Sequence, residues 1–269
     1  MSESQGPRVV EDRERVRQLG SALRKTGRPV ALVAVGGGAR AGPGALGGAG
    51  GRKPRSVVVV ATAGDPEDPL WAKAGADVVV PIGSEGLYPR GERTLVTHPD
   101  EGLEPADEIA RAVTARLSLI GLLSPSDVYA GEKDYEALVA TQHAVTDLNL
   151  PVAVHGVPTV RTPKGLAVSR RNALVAPAER ERAEALAAAV TAGAHVAERG
   201  LEVVLETASG VLEAAGVEPE YLALRAPDLS PAPTTGEARL LVAAPVGGVR
   251  LIDNAGVPLG IGFANLPQG

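Results

Sequence analysis

The sequence contains no cysteine, so disulfides and thiolate metal sites are excluded. Aromatic residues make up only 2% of it, which leaves Leu, Val and Ala to fill the core. The histidines His98, His143, His155 and His195 show no short metal-binding spacing, and a transition-metal site is not expected. Positive charge is not in excess either. The formal net charge is -5, whereas a nucleic-acid partner usually needs a basic face. No apolar run approaches the ~20 residues required to span a bilayer. The polar opening MSESQGPRVVEDRERVRQLG has no signal-peptide core. The expectation is a cytoplasmic protein that engages neither membrane nor nucleic acid.

What is present is ordinary globular material. The 269 residues can bury a sizeable core, as one large domain or one large and one small. Val9, Val10, Val16, Leu19 and Leu23 recur at helical spacing and Gly27 supplies a stop, which predicts an opening amphipathic helix. Apolar runs at Val30 to Val35, Ser56 to Thr62 and Asp77 to Pro81 read as buried strands. Further strands are expected at Asp127 to Ala130 and Val152 to His155, with a helix over 104–123 carrying Ile109, Val113, Leu117 and Ile120.

Such alternation implies a parallel sheet covered on both faces, a Rossmann-like α/β layer. Beyond Asn172 two Ala-rich helices, about 177–198 and 202–215, precede short strands at 221–224, 240–244 and 249–252. The division expected is a Rossmann-like nucleotide-binding domain over 1–172 and a small α+β domain over 173–269. A Gly-rich stretch runs from Gly36 to Gly51.

Three motifs are specific. Gly131-Glu132-Lys133-Asp134-Tyr135 directly follows a predicted strand. GVPTVRTPKGLAVSRRN spans Gly156 to Asn172. EYLALR at Glu220 to Arg225 is followed by RLLVAAPVGGVRLIDN from Arg239 to Asn254. In this order and spacing they resemble the pantothenate synthetase family, closely from about Leu117 to Asn254 and more weakly from Gly27 to Pro89.

The resemblance implies a homodimer with a Rossmann-like nucleotidyltransferase domain and a smaller C-terminal lid. It implies ATP-dependent (Mg-ATP) joining of pantoate to β-alanine through a pantoyl-adenylate. By the same resemblance Lys133 contacts the ATP phosphates, Gly131 and Asp134 lie on the ribose side, and Val160 and Val168 on the adenine side. Ser169 and Arg171 match positions that grip the phosphates. Such chemistry needs cations and donors where pyrophosphate leaves and a site that positions the acid against the α-phosphate.

The chain also departs from the family. The family's first strand leads into a PTMGxLHxGH-like segment, and here Arg40 and Pro43 align with its two histidines. Proline offers neither a proton nor a donor. The helix that should follow is replaced by GALGGAGG, whose glycines each oppose helix by ~1 kcal/mol. ATAGDPEDP stands where an FVNPxQF-like segment with a pantoate-binding Gln is expected, and ADEIA replaces the HFxGV element. No residue is therefore assigned a catalytic role.

The family's DYQ becomes Asp134-Tyr135-Glu136, and its SSRN becomes Ser169-Arg170-Arg171-Asn172. A Glu136 carboxylate ~4 Å from pantoate, at an effective dielectric of ~20, would be repelled by about 4 kcal/mol. The expectation is that Glu136 points to solvent. Arg40 and Arg170 are gained cations that could stand in for the imidazoles.

Three readings follow: a catalytically degraded ligase relative that keeps a nucleotide site or serves as a partner subunit, an active acyl-adenylate-forming ligase with a different small acid, and a dinucleotide binder. The last rests on Gly36-x-Gly38-x-x-x-Gly42. It lacks the acidic residue closing the next strand, where Thr62 and Ala63 stand instead.

Overall fold

Residues Val30–Val35 and Val57–Thr62 are buried along their whole lengths, as strands covered on both faces must be. The computed structural model describes residues 6–35, 55–82 and 87–260. The Gly-rich stretch, with Arg40 and Pro43, lies outside the described residues. Packing divides the chain into two units, Met1–Val160 and Arg161–Gly269, and each is described by itself.

In the first unit β1 (Arg8–Val9), β2 (Val30–Val35), β3 (Val57–Thr62), β4 (Val78–Pro81), β5 (Asp127–Gly131) and β6 (Ala153–Val157) form one sheet in the order β1-β4-β3-β2-β5-β6. All its pairings are parallel. The period-two alternation of strand side chains sorts them onto two faces. Leu32, Val57, Val59 and Val128 face Val16, Leu119 and Leu123 of helices α1 (Arg13–Lys25) and α3 (Ala106–Leu123). Val33, Val58, Val60 and Tyr129 face Trp71 of the short α2 (Leu70–Lys73). The close approach of α1 to α3 depends on Gly20, where an added Cβ would stand 2.6 Å from the Leu122 carbonyl oxygen.

The opening helix is shorter than its periodicity suggests. Val9 pairs with Val79 in β1 and Val10 N–H donates to the Val79 carbonyl at 2.9 Å. The helix begins only at Arg13, where Asp12 accepts the Arg15 N–H at 2.8 Å. The β-branched pair before a strong N-cap is a strand followed by a start signal. The last helix of this unit, α4 (Tyr135–Asp147), follows β5 and leads to the edge strand β6.

The second unit holds α5 (Arg170–Ala173), α6 (Arg180–His195), α7 (Leu201–Ala214) and the antiparallel sheet β7 (Tyr221–Arg225), β8 (Gly236–Val246), β9 (Val249–Leu259). Leu186, Val190, Val204 and Leu212 from the helices meet Leu240, Val242, Leu251 and Val257 from the sheet. β8 and β9 each run eleven residues, well beyond the short strands expected. Gly247 (φ 57°) and Gly248 (φ 78°) form a two-residue hairpin between them, a geometry that matches strand twist and extends the pairing on both sides. Residues 161–172 belong to this unit, so the packing divides ahead of the expected boundary after residue 172. No helix among the described residues is long and apolar enough to cross a membrane.

Candidate functional site

In an open parallel sheet, ligands bind outside the carboxyl ends of the strands where the strand order reverses. Here the chain runs from β2 outward to β3 and β4, then crosses to β5 and β6 on the other side of β2. The reversal lies between β2 and β5. Gly131 ends β5, and Glu132 to Asp134 turn the chain into α4 at that point. The turn is tied down by the Glu132 N–H, which donates to the Val157 carbonyl at 2.9 Å.

Lys133 is buried at 6% exposure. Asp134 is the half-buried N-cap of α4, yet its side chain makes no capping hydrogen bond. Its carboxylate is therefore not consumed by the helix it begins. The topology brings Gly131, Lys133 and Asp134 into one turn, and Val160, half-buried, closes the first unit.

Glu136 does not point to solvent as expected. It is 3% exposed, and its Oε2 accepts the Glu104 N–H at 2.7 Å. It lies in the first turn of α4, with the Glu104 backbone in hydrogen-bond contact. Burial pushes its pKa from 4.5 to about 7, and the charges of Glu104, Glu101 and Asp100 add to the rise while the Glu104 hydrogen bond opposes it.

Sequence reasoning missed Arg116. It is 6% exposed, on α3, and its Nη1 donates to the Ala137 carbonyl and, at 2.8 Å, to Thr141 Oγ1. Burial lowers its pKa, and the nearby Asp134 charge opposes that. A signal was available, because Arg116 interrupts the apolar face between Val113 and Ile120 at helical spacing.

The histidines have partners of their own. His98 Nε2 and His143 Nδ1 share a hydrogen bond at 2.9 Å, and His155 Nε2 meets Asp127 Oδ1 at 3.0 Å. His195 Nδ1 donates to the Thr191 carbonyl at 2.8 Å.

In the second unit a turn bridged by Arg161 and Ala167 precedes the serine-arginine motif. Arg161 grips Asp253 through two nitrogens, at 2.6 and 2.8 Å, which holds its own pKa raised. Ser169 is buried at 3% exposure and caps α5, its Oγ accepting the Asn172 N–H at 3.0 Å. The Ser169 hydroxyl proton is left to donate elsewhere. Asn172 Nδ2 donates to the Ala167 carbonyl at 2.6 Å, while its Oδ1 is buried without a hydrogen bond. Val168, Ser169 and Arg171 thus stand on one short turn, with Val168 and Arg171 half-buried.

A Rossmann-like parallel sheet with a lysine-bearing turn at its reversal, joined to a small α+β unit, defines a protein of the nucleotidyltransferase-like α/β class. The family model for pantoate-beta-alanine ligase matches residues 70–256. The pantothenate synthetase of Corynebacterium jeikeium is 43% identical over 97% of this chain and 93% of its own. That of Mycolicibacterium smegmatis is 40% identical over 89% and 84%.

Among solved structures, the pantothenate synthetase from Thermus thermophilus superposes with a TM-score of 0.79 at 30% identity, covering 92% of this chain and 98% of that one. The Francisella tularensis pantoate-beta-alanine ligase, complexed with beta-gamma ATP and beta-alanine, shares the fold at 20% identity and a TM-score of 0.71, covering 93% of this chain and 97% of that one. The chain belongs to the pantoate-beta-alanine ligase family.

Proposed function

We propose that the protein binds Mg-ATP through Gly131, Lys133, Asp134, Val160, Val168, Ser169 and Arg171, and that it retains weak or no pantoate–β-alanine ligase activity. The observation that carries this reading is the Gly131–Tyr135 turn at the reversal of the sheet. It offers a cation to phosphates and an uncapped carboxylate to sugar hydroxyls, and Ser169 keeps a hydroxyl proton to donate. Magnesium would enter on the phosphates, as it commonly does.

In the family reaction a pantoate carboxylate oxygen attacks the α-phosphorus and pyrophosphate leaves. The β-alanine amine then attacks the acyl carbon, losing a proton as AMP departs. Both steps develop charge that fixed donors must meet. This chain aligns Arg40 and Pro43 with the family's histidines and lacks the expected glutamine segment, which supports a low rate. By the same resemblance the protein is a homodimer.

Purified protein incubated with ATP, pantoate and β-alanine should bind ATP and release AMP at or near background. Pantoate-dependent AMP release at ordinary enzyme rates, about 1 per second or more, would overturn the low-activity reading.

A second reading, an active ligase for a different acid, draws support from Glu136. A buried carboxyl stands where the resemblance places a neutral amide near pantoate, so the acid-side lining differs from the family's. Screening small carboxylic acids for ATP-dependent AMP release separates the two readings. Turnover with an acid other than pantoate supports the second.

A further inference from the structure

Arg116 is costly where it stands. The α3–α4 contact around it is otherwise apolar, with Ile109 and Val113 against Ala137 and Ala140. Burying a guanidinium there costs several kcal/mol unless paired charge and hydrogen bonds offset it. Two neutral oxygens, the Ala137 carbonyl and Thr141 Oγ1, receive its Nη1. Among the described residues it forms no ion pair at contact distance. An aliphatic side chain would pack the same interface without that cost.

The position of the charge is informative. Through Ala137 it anchors the first turn of α4, the turn that Asp134 caps. The Asp134 carboxylate, which precedes that turn, makes no capping bond to it.

We infer that Arg116 is a positioning residue for nucleotide binding: it fixes the start of α4, and with it the backbone from which Asp134 projects at the carboxyl end of β5. Arg116 touches no ligand in this role. It acts through Asp134, and the inference rests on the proposed nucleotide reading.

The test is a double-mutant cycle on ATP affinity, measured calorimetrically with wild type, Arg116→Met, Asp134→Asn and the double variant, each with its thermal midpoint recorded. Arg116→Met should weaken ATP binding about tenfold, and Arg116→Lys should recover part of it, because coupled neighbours interact by that order. In the Asp134→Asn background, Arg116→Met should cause little further loss.

Equal and additive losses in both backgrounds would assign Arg116 a structural role and overturn the inference, as would unchanged affinity in Arg116→Met. If Arg116→Met fails to fold, Arg116→Lys alone decides. A loss that depends on Asp134 supports positioning, and a loss independent of it opposes it. Wild-type protein that gives no heat with ATP overturns the nucleotide reading and this inference together.

Discussion

In the second unit the Arg161 guanidinium meets Asp253 through two hydrogen bonds, whereas in the first unit Arg116 and Glu136 lie buried with no opposite charge in contact among the described residues. The paired ions join the turn at 161–167 to β9, and their geometry is saturated by the protein itself. Of the unpaired ones, Glu136 lies in the first turn of α4 and Arg116 packs on Ala137 and Thr141 of the same helix. Stability alone favours the first arrangement, since an uncompensated buried charge is costly. Buried charge kept at that cost beside a sheet reversal marks a place where something other than stability sets the arrangement.

The contrast can be broken most severely at the pair. Asp253→Asn leaves Arg161 facing a neutral amide and should cost roughly 3–5 kcal/mol of unfolding free energy, read by urea denaturation. A loss below about 1 kcal/mol, the range of exposed pairs, would mean that the clamp is solvated and the contrast false.

The next effect is on Glu136 and depends on pH. Its folded pKa is raised to about 7 from 4.5. The stability this carboxyl contributes is therefore complete below the unfolded value, declines as pH rises from 4.5, and is gone above about 7. Wild type should lose about 2 kcal/mol relative to Glu136→Gln between about pH 5 and about pH 8. Parallel stability–pH curves for the two proteins would show that Glu136 titrates normally.

The smallest effect sharpens the contrast by comparison with an exposed carboxylate that does one local task. Asp12→Ala removes the N-cap of α1 and should cost ~1 kcal/mol, read by urea denaturation. Unchanged stability in the variant would show that the cap contributes nothing.

Much of the fold was legible because its strands are continuous Val-rich runs and its helices have clear apolar spacing. Val30–Val35 and Asp127–Gly131 lie where composition places them. The errors have physical causes. Val9 and Val10 fit a helical period but pair with β4, since tertiary pairing outweighs local periodicity. β8 and β9 exceed their apolar segments because pairing continues through Arg239, Pro245 and Arg250.

The candidate site was legible as motifs but not as electrostatics. Glu136 was expected to point to solvent because the chain lacks the family's pantoate-binding segment. It is buried and held by the Glu104 N–H, a contact across more than thirty residues of sequence that spacing does not reveal. Arg116 was visible as a cation on an apolar stripe, but arginines at such positions commonly extend their charge to water. Only the packing of α3 on α4 shows that this one does not.

The most direct test is calorimetric titration of ATP into wild-type protein and into Lys133→Met under identical conditions. Binding by wild type and affinity at least about tenfold weaker in the variant is the predicted result, since an ammonium–phosphate contact is charge-assisted. Equal affinity in the two proteins, or no binding by either, would contradict the assignment of the Gly131–Tyr135 turn to a nucleotide.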